Sequence, residues 1–224
     1  MERKQYEFVM TEQHKQLLQN IMPVMEAFYG NELLPILEDV ERAYHAQPYA
    51  ARDTVDLIKS LSITCENQNM KQQVQNLRAM PYQSITPWEE NTSLNVMFRL
   101  TNSERKALSK VLDTYSRIMM GQLSIIFEAL DIQTDGKEPT ERQLQAWHDA
   151  YWEGGMGLRD AKAQLLPDTA EFGWNGGYGI CNQKVALGSR LAYEMRKILD
   201  KEKPLKVTDV SLPRVEVIKY RTAL

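Results

Sequence analysis

The chain has 224 residues, of which 43% are hydrophobic and 25% charged, and its formal net charge is −3 at pH 7. These are ordinary values for a globular protein with a buried core, while the acidic balance disfavours nucleic acid as the main partner, because phosphate contacts need a concentrated basic surface. The longest apolar runs fall far short of the ~20 residues that cross a bilayer, so we expect a cytoplasmic protein that does not bind membranes.

An internal duplication is the most informative feature of the sequence. Residues 8–40 match residues 98–130 without gaps at an offset of 90 positions. The identical pairs are Phe8/Phe98, Thr11/Thr101, Leu18/Leu108, Leu33/Leu123, Ile36/Ile126 and Glu38/Glu128. Because the matched residues are mostly apolar or helix-capping, the duplication predicts architecture, a strand-helix-bend-helix unit used twice. We expect the copies to pack against each other about a pseudo-twofold axis, since each exposes an equal apolar stripe.

Each copy begins with an alternating apolar run that predicts a half-buried strand. The alternating positions are Tyr6, Phe8 and Met10 in the first copy and Val96, Phe98 and Leu100 in the second. A threonine then predicts the start of a helix. In the second copy Thr101 and Glu104 predict a complete capping box, in which each side chain binds the other residue's backbone N–H. In the first copy His14 stands in place of the glutamate, so the sequence predicts an incomplete box.

The helix after each threonine carries one apolar stripe and ends at a bend. The stripes are Leu17, Leu18, Ile21, Met22, Met25 and Phe28 in the first copy, and Ala107, Leu108, Val111, Leu112, Tyr115, Ile118 and Met119 in the second. Gly30 and Gly121 mark the two bends, and a second helix follows each of them. Pro23 lies inside the first helix and predicts a kink, because proline removes one backbone hydrogen bond.

The segment between the copies contains two further predicted helices, at residues 53–62 and 66–79. Their thin apolar stripes predict a peripheral helical hairpin with limited burial. Residues 81–93 contain two prolines and predict a linker. We therefore expect residues 1–80 to hold the first repeat and the peripheral helices, and residues 94–224 to hold the second repeat, the C-terminal helices and a closing strand. Together they predict one compact α+β unit, predominantly helical with a few short strands.

The sequence beyond the second copy predicts two more helices and the closing strand. Thr140 caps a helix with Leu144 and His148 on its apolar face, and Asn182 caps a longer helix. The alternating run at residues 215–219 predicts the strand.

The glycine and aromatic residues at 172–181 form the candidate ligand site. Glycine lets the backbone approach a partner closely, and aromatic rings stack on planar groups. The predicted ligand-binding residues are Trp174, Asn175, Gly177, Tyr178 and Asn182. The phosphate-binding glycine motifs are missing from the sequence, so aromatic rings packed on the core are the simpler interpretation of this loop.

Cys181, His148 and Asp149 have the residue types of a thiol nucleophile, its base and an orienting carboxylate. With two cysteines and three histidines in the chain, such a triple arises by chance, so we predict no catalytic residue. The histidines are scattered and no HExxH or DxDxDG motif occurs, so we predict no metal site and no cofactor.

Four short segments resemble a family of uncharacterised small proteins encoded by bacterial prophages and other mobile elements. The segments are Phe98-x-Leu100-Thr101, Tyr115-Ser116-Arg117, Met120-Gly121-Gln122-Leu123 and Gly177-Tyr178-Gly179-Ile180-x-Asn182. The resemblance covers roughly residues 94–199, and the first copy departs from it through Pro23. It implies no active site. It implies a setting in which a small phage protein binds and redirects a host protein.

The leading hypothesis is a non-enzymatic interaction or regulatory protein that binds a host or cellular protein, and homo-oligomerisation is compatible with it. Methionine-rich surfaces adapt to several partners. The candidate contact residues are Met80, Met119, Met120 and Met156. The alternative is a small-ligand or nucleotide-binding protein that uses residues 172–181. A Cys181-dependent hydrolase or transferase is the third hypothesis.

Overall fold

The structure is a computed structural model with a helix-dominated α+β fold. It describes residues 5–44, 46–60, 65–86, 95–119, 121–123, 125–129, 131–132, 140–142, 144–145, 148–149, 164–165 and 221–222. The elements are β1 (Gln5–Met10), α1 (Glu12–Tyr29), α2 (Leu34–Tyr44), α3 (Ala50–Ser60), β2 (Cys65–Glu66), α4 (Gln68–Arg78), β3 (Gln83–Ser84), β4 (Val96–Thr101), α5 (Asn102–Met119), α6 (Ile125–Ala129), β5 (Asp131–Ile132) and β6 (Arg221–Thr222). The predicted predominance of helices with a few short strands is confirmed.

A four-stranded antiparallel sheet in the order β3-β4-β1-β6 joins the two halves of the chain. Its longest ladder pairs all six residues of β1 with β4 and places Phe8 opposite Phe98. The two rings stack with their centroids 5.3 Å apart. A second, two-stranded sheet pairs β2 with β5. The predicted strands at the start of each copy are therefore direct neighbours.

The alternation of apolar residues in β1 and β4 decides which face of the sheet is buried. Phe8 and Met10 are buried in β1, while Val96, Phe98 and Leu100 are buried in β4 and Arg99 between them is exposed. Helix α5 packs against both strands. The period of two predicted from the sequence is confirmed, because successive side chains of a strand point to opposite faces.

Both long helices start with a complete capping box. In α5 the Glu104 carboxylate accepts from the Thr101 N–H at 2.7 Å, and the Thr101 hydroxyl accepts from the Glu104 N–H at 3.3 Å. In α1 the Nδ1 atom of His14 accepts from the Thr11 N–H at 3.3 Å, while the Thr11 hydroxyl accepts from the His14 N–H at 3.2 Å. The prediction of an incomplete first box was wrong, because a neutral imidazole nitrogen is an acceptor that serves in place of the carboxylate.

The two long helices also end alike. Both contain 18 residues. Each is followed by a residue with positive φ, Asn31 at 68° and Gly121 at 80°. The next N–H donates back into the helix at 2.9 Å in both cases, from Glu32 to Ala27 and from Gln122 to Arg117. These bonds are typical of a Schellman end, in which a left-handed residue lets the chain turn away. The first bend therefore depends on Asn31, one residue after the predicted Gly30.

Pro23 lies inside α1, as predicted, and faces solvent. It has no N–H to donate to the carbonyl of Gln19, which belongs to an exposed residue. The helix continues for six residues beyond the proline. Water can satisfy that carbonyl, so the fold tolerates the proline at this position.

The two helices between the copies differ from their prediction in position and burial. Helix α3 begins at Ala50, so Asp53 lies in its first turn rather than at its cap. Helix α4 packs against both α1 and α5 through the buried residues Met70, Val74 and Leu77. The predicted peripheral placement of α4 was wrong, because three apolar residues on one face were enough to bury it. The predicted linker at 81–93 contains β3, which pairs with β4.

Polar contacts fix α4 in this central position. Glu26 of α1 accepts from Gln75 and from Arg78, both at 2.9 Å. These two hydrogen bonds hold the pKa of Glu26 below its usual value, since they favour the ionised carboxylate. The Asn67 cap of α4 donates through its backbone to the Tyr29 carbonyl at 2.9 Å and through Nδ2 to the Ala129 carbonyl at 3.2 Å. One buried residue, through its backbone N–H and its side-chain amide, thus links the ends of α1 and α6 to α4.

We predict that the two capping boxes contribute equally to stability. Thr11→Ala and Thr101→Ala should each lower the free energy of unfolding by about 1 kcal/mol, because each leaves a backbone N–H without its acceptor. Denaturant unfolding measures both changes. Thr11→Ser and Thr101→Ser keep the hydroxyl and serve as controls. A near-neutral Thr11→Ala beside a costly Thr101→Ala would show that the His14 box contributes nothing.

Candidate functional site

The predicted ligand site lies outside the described residues. This applies to Trp174, Asn175, Gly177, Tyr178 and Asn182, and to the rest of residues 172–181. Cys181 and the run at 215–219 also lie outside them. The ligand-binding hypothesis for this loop therefore stays a prediction.

Two members of the Cys-His-Asp triple that the sequence analysis set aside as a chance arrangement are adjacent and exposed. The Nδ1 atom of His148 lies 3.8 Å from Oδ1 of Asp149, and the His148 side chain is 61% exposed. Asp149 also accepts from Gln145 at 2.7 Å. Leu144, on the same predicted helix face, is exposed as well. The prediction that His148 and Leu144 lie on a buried apolar face was wrong.

Two of the four predicted methionine contact residues lie in the described part of the chain. Met119 is 3% exposed and belongs to the core, and Met80 is partly buried against it. Met120 and Met156 lie outside the described residues. The prediction of Met119 as a contact residue was wrong, because α5 is central and the last residue of its stripe is covered.

The described residues contain neither a metal-binding group nor a membrane-spanning helix. Within them no three His, Cys, Asp or Glu side chains come together as a group that could hold a metal ion. None of the helices in the described part of the chain combines the length and the apolar character needed to cross a bilayer.

Buried tyrosines connect α5 to the first half of the chain. The Tyr29 hydroxyl donates to Thr114 at 3.3 Å, and the Tyr44 hydroxyl donates to the Met119 carbonyl at 2.7 Å. Burial raises the pKa of Tyr29, so its phenol stays protonated and remains a donor. Burial also raises the pKa of Tyr115, and the Asp39 carboxylate raises it further. The hydroxyl groups of Tyr29 and Tyr44 therefore hold α1 and α2 against α5.

The turn between α2 and α3, at residues 47–50, contains the most unusual backbone in the described residues. The Ala50 N–H donates to the Gln47 carbonyl at 3.1 Å, which closes a four-residue turn. Pro48 fixes its second position near φ −65°, and Tyr49 at the third has φ 81°. This combination defines a type II turn, whose third position normally belongs to glycine or asparagine. A tyrosine occupies it in this chain.

The carboxylate of Glu41 holds this turn in place. Its two oxygens accept from the backbone N–H groups of Tyr49 at 3.1 Å and Ala51 at 3.0 Å. The Tyr49 carbonyl then accepts from the Asp53 N–H at 3.0 Å, which begins α3. A side chain of α2 therefore caps α3, where the helix dipole also favours negative charge.

The turn presents the Tyr49 ring to solvent. The Tyr49 residue is 67% exposed, the largest value among the exposed large hydrophobic residues of the described chain. The next two residues, Ala50 and Ala51, are buried. The backbone on the C-terminal side of the ring is therefore anchored in the core while the ring itself projects outward.

This turn was not predicted from the sequence. Pro48 followed by a helical run is a turn signal, but tyrosine gives no indication of positive φ. The cap comes from Glu41, eight residues before Tyr49. A cap supplied by a neighbouring helix leaves no short-range pattern that could be searched for.

No protein-family model matches the chain, and neither a curated protein nor a solved structure shows detectable similarity to it.

We predict that Glu41 stabilises the α2–α3 corner. Glu41→Ala should lower the free energy of unfolding by about 1–2 kcal/mol, because two backbone N–H groups lose a charged acceptor. Glu41→Gln should cost less, since its amide oxygen can still accept from one of them. Denaturant unfolding measures both. Glu38→Gln removes the same charge from the same helix and is the matched control. Equal stability of Glu41→Ala and Glu38→Gln would show that the cap has no energetic role.

Proposed function

We propose that this chain is a non-enzymatic interaction protein of the cytoplasm, in which a duplicated strand-helix unit forms the scaffold and an exposed corner contacts another protein. The resemblance to prophage proteins makes a bacterial host protein the natural partner. The single observation that carries the proposal is the strained and exposed Tyr49, since costly backbone conformations cluster at functional sites.

The use of buried polar side chains supports a scaffold role for the helices. Tyr29, Tyr44 and Asn67 each direct a polar group at an acceptor on another element. Such interior bonds fix helix positions, because leaving a buried donor without its acceptor costs about 1–3 kcal/mol. These hydrogen bonds make the helices a rigid support for a contact at the surface.

The strand register supports duplication of the unit. At the offset of 90, Glu7 is equivalent to Met97 and Tyr6 to Val96. Arg221 of β6 lies opposite Glu7, and Gln83 of β3 lies opposite Met97. The edge strands β6 and β3 thus pair with equivalent positions of β1 and β4. A tyrosine precedes both edge strands in the sequence, at positions 82 and 220.

The same register supports a pseudo-twofold axis. Phe8 and Phe98 are equivalent at the offset of 90, and they are also directly opposite each other in the β1–β4 ladder. Equivalent residues of two antiparallel strands meet only where a twofold axis passes between them. The two strand-helix units would then be related by rotation about the stacked Phe8 and Phe98 rings. Strand β3, which follows the first unit, would then pair with β4 of the second unit, and β6, which follows the second unit, would pair with β1 of the first.

The proposed symmetry predicts equal responses at Phe8 and Phe98. Phe8→Leu and Phe98→Leu should each lower the free energy of unfolding by about 1 kcal/mol, with a difference below about 0.5 kcal/mol. The double variant should deviate from additivity because the two rings are in contact. Chemical denaturation of all three variants gives these values. A severalfold difference between the single variants would argue against equivalent environments.

The interaction role is tested by affinity capture with the tagged full-length chain. We expect one host protein to be recovered from a bacterial lysate in stoichiometric amount and identified by mass spectrometry. Recovery of no such partner would count against the proposal. A metabolite that raises the Tm, with an effect that Trp174→Ala removes, would instead support the ligand-binding alternative.

A further inference from the structure

Resting on the proposed interaction role, we infer that the 47–50 turn is the docking point, and that the Tyr49 ring inserts into a concave pocket of a folded partner protein. Three features of this turn suit it to docking: its backbone strain, its rigidity, and the shape and charge of its surroundings.

The strain shows that tyrosine is a poor choice for the fold itself. Its φ of 81° lies where only glycine, and to a lesser degree asparagine or aspartate, is accommodated readily. The Glu41 carboxylate and the fixed Pro48 hold Tyr49 in this conformation. Glycine would satisfy the turn at lower cost, so the phenol ring has a use outside the folding of this chain.

The rigidity of the turn makes the ring a suitable anchor. Both oxygens of Glu41 bind backbone N–H groups in or beside the turn, and the following residues are buried. A tyrosine side chain has few rotatable bonds, so its immobilisation in a pocket costs little conformational entropy. Tyrosine is also among the residues that most often dominate the binding energy of an interface.

Shape and charge identify the kind of partner. The ring projects from a corner between two helices, so it fits a concave surface rather than a flat or extended one. Arg52 and Asp53, both exposed at the start of α3, carry opposite charges. This mixed pair does not form the concentrated basic surface that nucleic acid requires, and it suits the polar rim of a protein interface.

Tyr49 lies outside the matched residues 8–40, so the docking point is not part of the duplicated unit. At the offset of 90, the residue aligned with Tyr49 is Pro139. One copy of the partner per chain is therefore expected.

The first experiment compares Tyr49→Gly with the native full-length chain. We expect its Tm to rise by about 2–4 °C, because glycine relieves the left-handed strain. We also expect its affinity for the captured partner to fall at least about tenfold. Leu144→Ala removes another exposed large hydrophobic side chain and should leave that affinity unchanged. A fall in Tm would overturn the inference, because the turn would then not favour glycine.

The second experiment places a photo-reactive phenylalanine at position 49 of the full-length chain, with Gln16 on α1 as the control position. We expect one heteromeric cross-link at position 49 and none at position 16. Excess native chain should suppress it, and excess Tyr49→Gly chain should not. Equal suppression by both, or a cross-link to a second copy of this chain, would overturn the docking assignment.

The two experiments separate this inference from the function on which it rests. If the native chain captures a partner and Tyr49→Gly captures it equally well, the interaction role stands and the docking point is wrong. If the native chain captures nothing and gives no cross-link, both proposals fail.

Discussion

The antiparallel pairing of β1 with β4 is the contact on which the remainder of the described structure depends. It joins residues about 90 positions apart in the sequence and lays Phe8 against Phe98. Each strand leads through a threonine cap directly into a long helix, so the ladder sets where α1 and α5 begin. Helix α4 then packs against both of those helices. Asn67 binds the carbonyl of the last residue of α1, and Tyr44 binds the carbonyl of the last residue of α5.

The elements that the sequence predicted well are those specified by local chemistry. The alternation around Phe98 and the Thr101–Glu104 box depend on neighbours within four residues, and both were found. The predictions were wrong where one residue type took the place of another in a motif, and where contacts join residues far apart in the sequence. His14 replaced a glutamate by acceptor chemistry that a motif does not encode, and α4 was buried by helices remote in sequence. The α2–α3 corner depends on a hydrogen bond from the Tyr49 N–H to Glu41 of α2, eight residues earlier, so no local sequence pattern could have revealed it.

The two halves of the chain use similar strands and helix ends but differ after the bend. Helix α2 has 11 residues, whereas α6 has five. The extra turns of α2 bring Glu41 and Tyr44 into position, one to cap α3 and the other to bind the end of α5. The first half thus supplies contacts for which α6 is too short. The additional contacts of the first half therefore come from the greater length of α2.

The order of the sheet has a consequence for biosynthesis. Strand β1 is the first of its four strands to be translated and β6 the last, yet the two are neighbours. While the ribosome makes the intervening chain, one edge of β1 has no strand beside it in this sheet. Such edges attract other extended chains, and long-range pairing is slow. We therefore expect the edge of β1 that β6 covers to be open to wrong pairing during synthesis until β6 has been made.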